Sequence, residues 1–229
     1  MSVAAIIVAA GPGTRLGAGM PKGFVHLGGV PLFVRSLRAM LAVPAIEQVV
    51  VVAPADALAQ ATELLTGSGP YRLQPRVVAG GAERQDSVRN GLAALSDADL
   101  VAIHDAARPF VTRDAVEAAI AAAGTHGAAI VAMPATDTVK LVGADRCIES
   151  TPPRTGVWLA QTPQVFRTDL IRAAHAQRAG DAATDDAALV ERLGHRVHVV
   201  AGTADNRKIT TPDDLAWAEW YLTRSAAPR

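Results

Sequence analysis

Residues 3–22 read VAAIIVAAGPGTRLGAGMPK. The run from Val3 to Ala10 is apolar at every position, the pattern of a strand buried on both faces. It is far shorter than a membrane span, and no Lys or Arg precedes it as a secretory signal requires. The strand feeds a glycine-rich loop, which in an open α/β sheet lies at a carboxyl edge, where ligands bind. Gly11, Gly13 and Gly17 are spaced G-x-G-x-x-x-G. That is one residue too long for the dinucleotide fingerprint, and no G-K-[ST] follows to make a P-loop, so a nicotinamide dehydrogenase is disfavoured. A tight strand-to-helix turn accounts for the glycines alone. It does not account for Arg15 and Lys22 a few residues on, because bare backbone amides beside two cations suit a triphosphate.

Outward from the loop, Val- and Ile-rich runs recur at Ala5–Ala9, Gln48–Ala53, Arg76–Val78, Leu100–His104, Ala128–Ala132 and Val197–Val200. Stretches with helical spacing lie between them, such as Val88, Leu92 and Leu95, or Val116, Ala119, Ile120 and Ala123. This alternation predicts a Rossmann-like α/β fold, a mostly parallel sheet with right-handed crossovers and helices on both faces. Thr211, Pro212, Asp213 and Asp214 read as N-cap, N1 and acidic first turn of a last helix running to about Tyr221. Pro134–Pro153 breaks the alternation. Two β-like pieces, Thr138–Val142 and Arg146–Glu149, flank Gly143, Ala144 and Asp145, so the segment reads as a protruding hairpin arm. A lone hairpin is marginal in water and must pack on its own domain or on a second subunit.

The 229 residues, half of them hydrophobic, are read as a single domain, 1–229, with the arm at about 134–153. Lys plus Arg equals Asp plus Glu at 22 each, so no overall field exists to hold nucleic acid or an anionic membrane. Cys147 is the sole cysteine, which excludes an intramolecular disulfide and a multi-thiolate zinc site and suits the cytoplasm.

AAGPGTRLGAGMPK, Ala9 to Lys22, resembles the AAG-x-G-x-R…PK signature of sugar nucleotidyltransferases. GGAERQDSV from Gly80, HDAARPF from His104, DTVK from Asp137, QTPQVF from Gln161 and ADNRKIT from Ala204 narrow the resemblance. Together they are similar to the 2-C-methyl-D-erythritol 4-phosphate cytidylyltransferase family, in the family's order over nearly the whole chain. Some family members continue into a cyclodiphosphate synthase domain; this chain ends before one, so a monofunctional protein is expected.

The resemblance implies attack by the acceptor's phosphate oxygen on the α-phosphorus of CTP, with pyrophosphate leaving in line. A phosphate monoester, with a second pKa of about 6, is already largely dianionic near neutrality and needs no general base. By resemblance Arg15 and Lys22 stabilise the charge that develops, and Asp105 binds Mg²⁺ as a single carboxylate beside phosphate oxygens. Ala9, Ala10, Gly11, Gly13, Gly80, Gly81, Ser87, Asp105 and Ala106 are the implied nucleotide contacts, with Gly80, Gly81 and Ser87 around cytosine. Family members often carry an acid where Ala82 stands. Arg154 and Lys208 would aim the acceptor phosphate, while Arg108, Thr138, Thr162 and Thr184 would bind the acceptor. His104 is read as a strand-end residue without a role, and Met133, Trp158, Trp217 and Trp220 as core or interface. A homodimer with exchanged arms is expected, with CTP and a polyol phosphate as small-molecule partners. Two alternatives stay open at this point. A ribitol 5-phosphate cytidylyltransferase shares the glycine loop, an HDA-type block and the TPQ block, and a non-catalytic CTP-binding regulator could use the same fold.

Overall fold

The computed structural model describes residues 1–11, 13, 16, 17, 19–177 and 183–225. The strands are β1 (Val3–Val8), β2 (His26–Leu27), β3 (Val30–Pro31), β4 (Ile46–Ala53), β5 (Arg76–Ala79), β6 (Leu100–Asp105), β7 (Ala128–Pro134), β8 (Leu141–Val142), β9 (Ile148–Ser150), β10 (Trp158–Arg167) and β11 (His198–Ala201). The helices are α1 (Leu32–Leu41), α2 (Leu58–Gly67), α3 (Arg84–Ala94), α4 (Arg113–His126), α5 (Thr168–Ala176), α6 (Asp186–Arg192) and α7 (Pro212–Ser225).

Among the described residues, seven strands form one sheet in the order β11-β7-β10-β6-β1-β4-β5. β1 pairs in parallel with β4 and β6, β4 with β5, and β7 with β11, whereas β10 runs antiparallel between β6 and β7. The alternation along β1 explains the two-sided burial. Val3, Ala5 and Ile7 join the core beneath α1, α2 and α4, while Ala4 and Ile6 join the one beneath α3, α5 and α6. A third, smaller cluster of Leu16, Val25, Leu27, Leu32, Ile209 and Ala218 seats α7 against the β2–β3 hairpin. Thr112 caps α4 by accepting from the Ala115 amide, and Gly127, at φ 88°, ends it in the left-handed conformation a side chain resists.

The parallel alternation expected from sequence holds for every strand that it named; β10 is the addition to the main sheet, and β2 and β3 form an unexpected small hairpin beside it. Its sequence, WLAQTPQVFR, carries polar residues and a proline where a central strand ordinarily has neither. A register shift between Ala160 and Gln164 takes Gln161, Thr162 and Pro163 out of the ladder with β7. The last helix has the expected capping residues but runs on to Ser225. The arm strands are shorter than expected. Thr138 to Lys140 precede β8, and Arg146, at φ 65°, belongs to the turn rather than to β9.

Candidate active site

A doubly wound sheet presents its ligand crevice where neighbouring strands send the chain in opposite directions. Here that point falls between β1 and β6, because the chain passes from β1 towards β4 but lies beyond β6 in its later half. Val8 and Asp105 are register partners, so the loop after β1 and the turn after β6 face each other. Between them lies a cavity of about 200 Å³. Its walls are Ala9, Ala10, Gly11 and Lys22 on one side, Gly81 to Arg84 and Ser87 on another, and Asp105, Ala106, Ala107 and Lys208 on the third.

The walls are close because glycines permit it. Gly13 has φ 71°, and a Cβ there would lie 2.7 Å from the Lys22 amide nitrogen. That amide donates to the Gly11 carbonyl at 3.2 Å and closes the loop. Gly80 is equally constrained, since a Cβ would meet the Ser87 hydroxyl oxygen at 2.8 Å and the Ala10 side chain closer still. Ser87 accepts from the Gly81 amide at 3.1 Å and donates to the Glu83 carbonyl at 3.2 Å, tying this turn to the first turn of α3.

Asp105 stands at the centre, its side chain 11 % exposed. Its Oδ2 lies 2.7 Å from the Lys208 ammonium and 3.9 Å from Arg108 Nε, and its Oδ1 lies 3.4 Å from Arg84 Nε. Burial alone would raise the Asp105 carboxyl, but Lys208, then Arg84 and Arg108, hold it well below the usual carboxylate range. It is ionised at any working pH.

Behind Asp105 runs a relay that settles a tautomer. The Asp105 amide donates to Thr162 Oγ1 at 3.0 Å, and that hydroxyl lies 3.0 Å from His104 Nδ1. Burial lowers the His104 imidazole to about 4, so it is neutral near pH 7. Its Nε2 faces the Arg108 carbonyl, an acceptor only, at 3.0 Å and must carry the proton. Nδ1 then accepts from Thr162. His104, read from sequence as a residue without a role, therefore clamps the turn that presents Asp105. Arg108 is drawn inward by the same turn, donating to the Asn206 carbonyl at 2.7 Å and the Ala160 carbonyl at 3.4 Å. Asn206 in turn donates to Gln161 and to the Thr162 carbonyl, so the segment bearing Lys208 is pinned to β10.

Of the residues singled out from sequence, Ala9, Ala10, Gly11, Lys22, Gly81, Ser87, Asp105, Ala106 and Lys208 line one cavity, and Gly13 and Gly80 shape its walls. Thr162 and Arg108 stand directly behind Asp105. Arg15 lies outside the described residues. Thr184 is exposed just before α6. Thr138 and Arg154 are exposed on the arm and line none of this cavity; the Arg154 guanidinium donates to the Thr136 carbonyl. The sequence reading missed Arg84, the first residue of α3, which pairs with Asp105 and, at 2.7 Å, with Asp186. Only its place in the GGAERQDSV block could have flagged it.

The fold and site define a nucleotide-binding α/β protein of the nucleotidyltransferase kind, with a cation-bearing glycine loop facing the Asp105 carboxylate across a switch point. Residues 3–224 match the profile of the 2-C-methyl-D-erythritol 4-phosphate cytidylyltransferase (IspD) family. The protein of that name from Geobacter metallireducens is 46 % identical over 230 residues, covering 97 % of this chain and 98 % of its own. Among solved structures, the 4-diphosphocytidyl-2C-methyl-D-erythritol synthase of Anaerococcus prevotii superposes with a TM-score of 0.87 at 32 % identity, covering 97 % of this chain and 96 % of that one. The 2-C-methyl-D-erythritol 4-phosphate cytidylyltransferase of Thermus thermophilus gives 0.78 at 38 % identity, with 98 % and 100 % covered. This chain belongs to the 2-C-methyl-D-erythritol 4-phosphate cytidylyltransferase family.

Proposed function

We propose that this chain transfers CMP from CTP to 2-C-methyl-D-erythritol 4-phosphate and releases pyrophosphate, a step of non-mevalonate isoprenoid precursor biosynthesis. The observation that carries the reading is the convergence of three distant sequence blocks on one cavity. Asp105 holds Lys208, and Lys22, from the glycine loop, donates to Thr210 of the same block as Lys208 at 3.4 Å. Lys22 and Arg15 stabilise charge on the α-phosphate and the leaving group, and Lys208 and Arg154 aim the acceptor phosphate.

Mg²⁺ fits this site. Among the described residues no cluster of three or more His, Cys, Asp or Glu could hold a metal by itself, and Asp105 offers one ionised carboxylate at the cavity wall. That donor set suits an ion that takes one or two carboxylates and completes its shell with phosphate oxygens and water. Bound there, Mg²⁺ would neutralise charge on the phosphates.

We further propose that the chain is one domain and acts as a homodimer in the cytoplasm, with each arm laid across the partner. Support comes from the arm and its base, where Leu141, Val142, Ile148, Trp158 and Leu159 are each at least 42 % exposed. A two-stranded arm with that surface needs a covering surface, and exchange would carry Thr138 and Arg154 to the neighbour's cavity. Among the described residues no helix is long and apolar enough to cross a membrane.

The test is acceptor-dependent release of pyrophosphate from CTP, run with 2-C-methyl-D-erythritol 4-phosphate and with ribitol 5-phosphate in competition. Release with the first acceptor is expected. Preference for ribitol 5-phosphate would move the chain to that alternative, and release from neither would leave only CTP binding.

A further inference from the structure

Asp186 opens α6 away from the cavity, yet both of its carboxylate oxygens are committed. Oδ2 lies 2.7 Å from Arg84 Nη1, and Oδ1 lies 3.1 Å from His175 Nε2, which must donate to it. The Asp186 side chain is 1 % exposed and that of His175 4 %. The Asp186 amide donates to Gln164 Oε1 at 3.1 Å, so β10 fixes the backbone as well. A buried ion pair contributes little to stability by itself, because desolvation offsets most of its attraction and an apolar pair packs as well. The position of what it holds is then the better explanation.

What it holds is Arg84. Burial alone would lower this guanidinium, but Asp186 and then Asp105 raise it further above its ordinary value. Its planar fork is fixed at two points, Nη1 on Asp186 and Nε on Asp105 Oδ1. With Oδ1 engaged by Arg84, Asp105 is turned so that Oδ2 faces Lys208. We propose that Asp186 is a positioning residue which, through Arg84, sets the orientation of the Asp105 carboxylate towards a metal-bound nucleotide. The proposal rests on the cytidylyltransferase reading given above.

The test is a double-mutant cycle with Asp186→Asn, Arg84→Met and both together, read by turnover, by calorimetric CTP binding in Mg²⁺ and by thermal unfolding. Misplacement of a reacting group by an ångström costs up to about 100-fold, so each single variant should lower kcat/KM for CTP by about 10- to 100-fold. CTP binding should weaken in step. The double variant should be no worse than Arg84→Met alone. Multiplying effects, or a loss of thermal stability with CTP binding intact, would mean that Asp186 only supports folding and would overturn the proposal. Should Asp186→Asn not fold, Arg84→Lys keeps the charge but cannot span two carboxylates, and wild-type CTP binding in that variant overturns it equally. Absence of turnover in the wild type would sink the functional reading instead, while the CTP-binding cycle still decides the role of Asp186.

Discussion

Replacing Asp105 by Asn removes one negative charge from among three positive ones while keeping the shape of the side chain. Breaking a buried ion pair by neutralising one partner typically costs about 3–5 kcal/mol, because the remaining charge is left uncompensated. Arg84 keeps its pair with Asp186, and Lys208, its side chain 39 % exposed, can retreat into water. Arg108, at 12 %, cannot. The expected loss is therefore below that range, about 2–3 kcal/mol, or roughly 5–10 °C in Tm for a chain of this size. Urea unfolding and a thermal melt measure it. Turnover at ordinary Mg²⁺ should vanish, with partial recovery at raised Mg²⁺ or in Mn²⁺. Unchanged stability would refute the electrostatic account of the cluster, and a wild-type Mg²⁺ dependence would remove the metal from Asp105.

Lys22→Ala should lower kcat by about 10²- to 10³-fold with a smaller change in CTP affinity, and a rise in KM at constant kcat would reduce Lys22 to a binding residue. Arm exchange can be read by mixing Lys22→Ala subunits with Arg154→Ala subunits. Half of randomly re-formed dimers are mixed and one of their two sites is intact, so about a quarter of wild-type activity should return, and no recovery would sink the exchange. At the start of α7, Asp214 accepts from the Thr210 and Thr211 amides and Thr211 Oγ1 accepts from the Asp214 amide. Burial alone would raise the Asp214 carboxyl, but these bonds and Arg207 hold it below its ordinary value of 3.8. Its contribution is therefore present above that value and lost as pH falls through the lower folded one. Asp214→Ala should cost about 1 kcal/mol at neutral pH and flatten the acid limb of a stability–pH curve; an unchanged acid limb would contradict the assignment.

The strands that the sequence revealed are those whose side chains are apolar on both faces. Ile6, Val51 and Ile103 have no exposed surface, and a run of such residues has few other places to go. β10 stayed hidden because its burial is achieved with polar groups. Gln161 donates to the Thr203 carbonyl, Gln164 to Asp185, and Thr162 serves Asp105 and His104. Polarity along the chain says loop, and only the fold shows that each polar group has an internal partner. The candidate site divides similarly. Lys22, Asp105 and Lys208 are charges inside recognisable blocks, but Arg84 and Asp186 lie 102 residues apart and acquire meaning only by meeting. Trp158 and Trp220, read as core or interface, are 42 % and 53 % exposed, whereas Trp217 stacks on Tyr221 beneath Arg207.

β10 has one practical consequence. Its first residues form the exposed base of the arm, and its middle bears the hydroxyl that receives the Asp105 amide. Ten extended residues make a rod about 33 Å long. Cys147, the sole thiol of the sequence, is exposed in the arm between β8 and β9. A single maleimide dye would therefore label every molecule at one address, on an arm whose chain runs on into β10. Its anisotropy would give a spectroscopic handle on whether filling the cavity stills the arm, without a substitution anywhere near the chemistry.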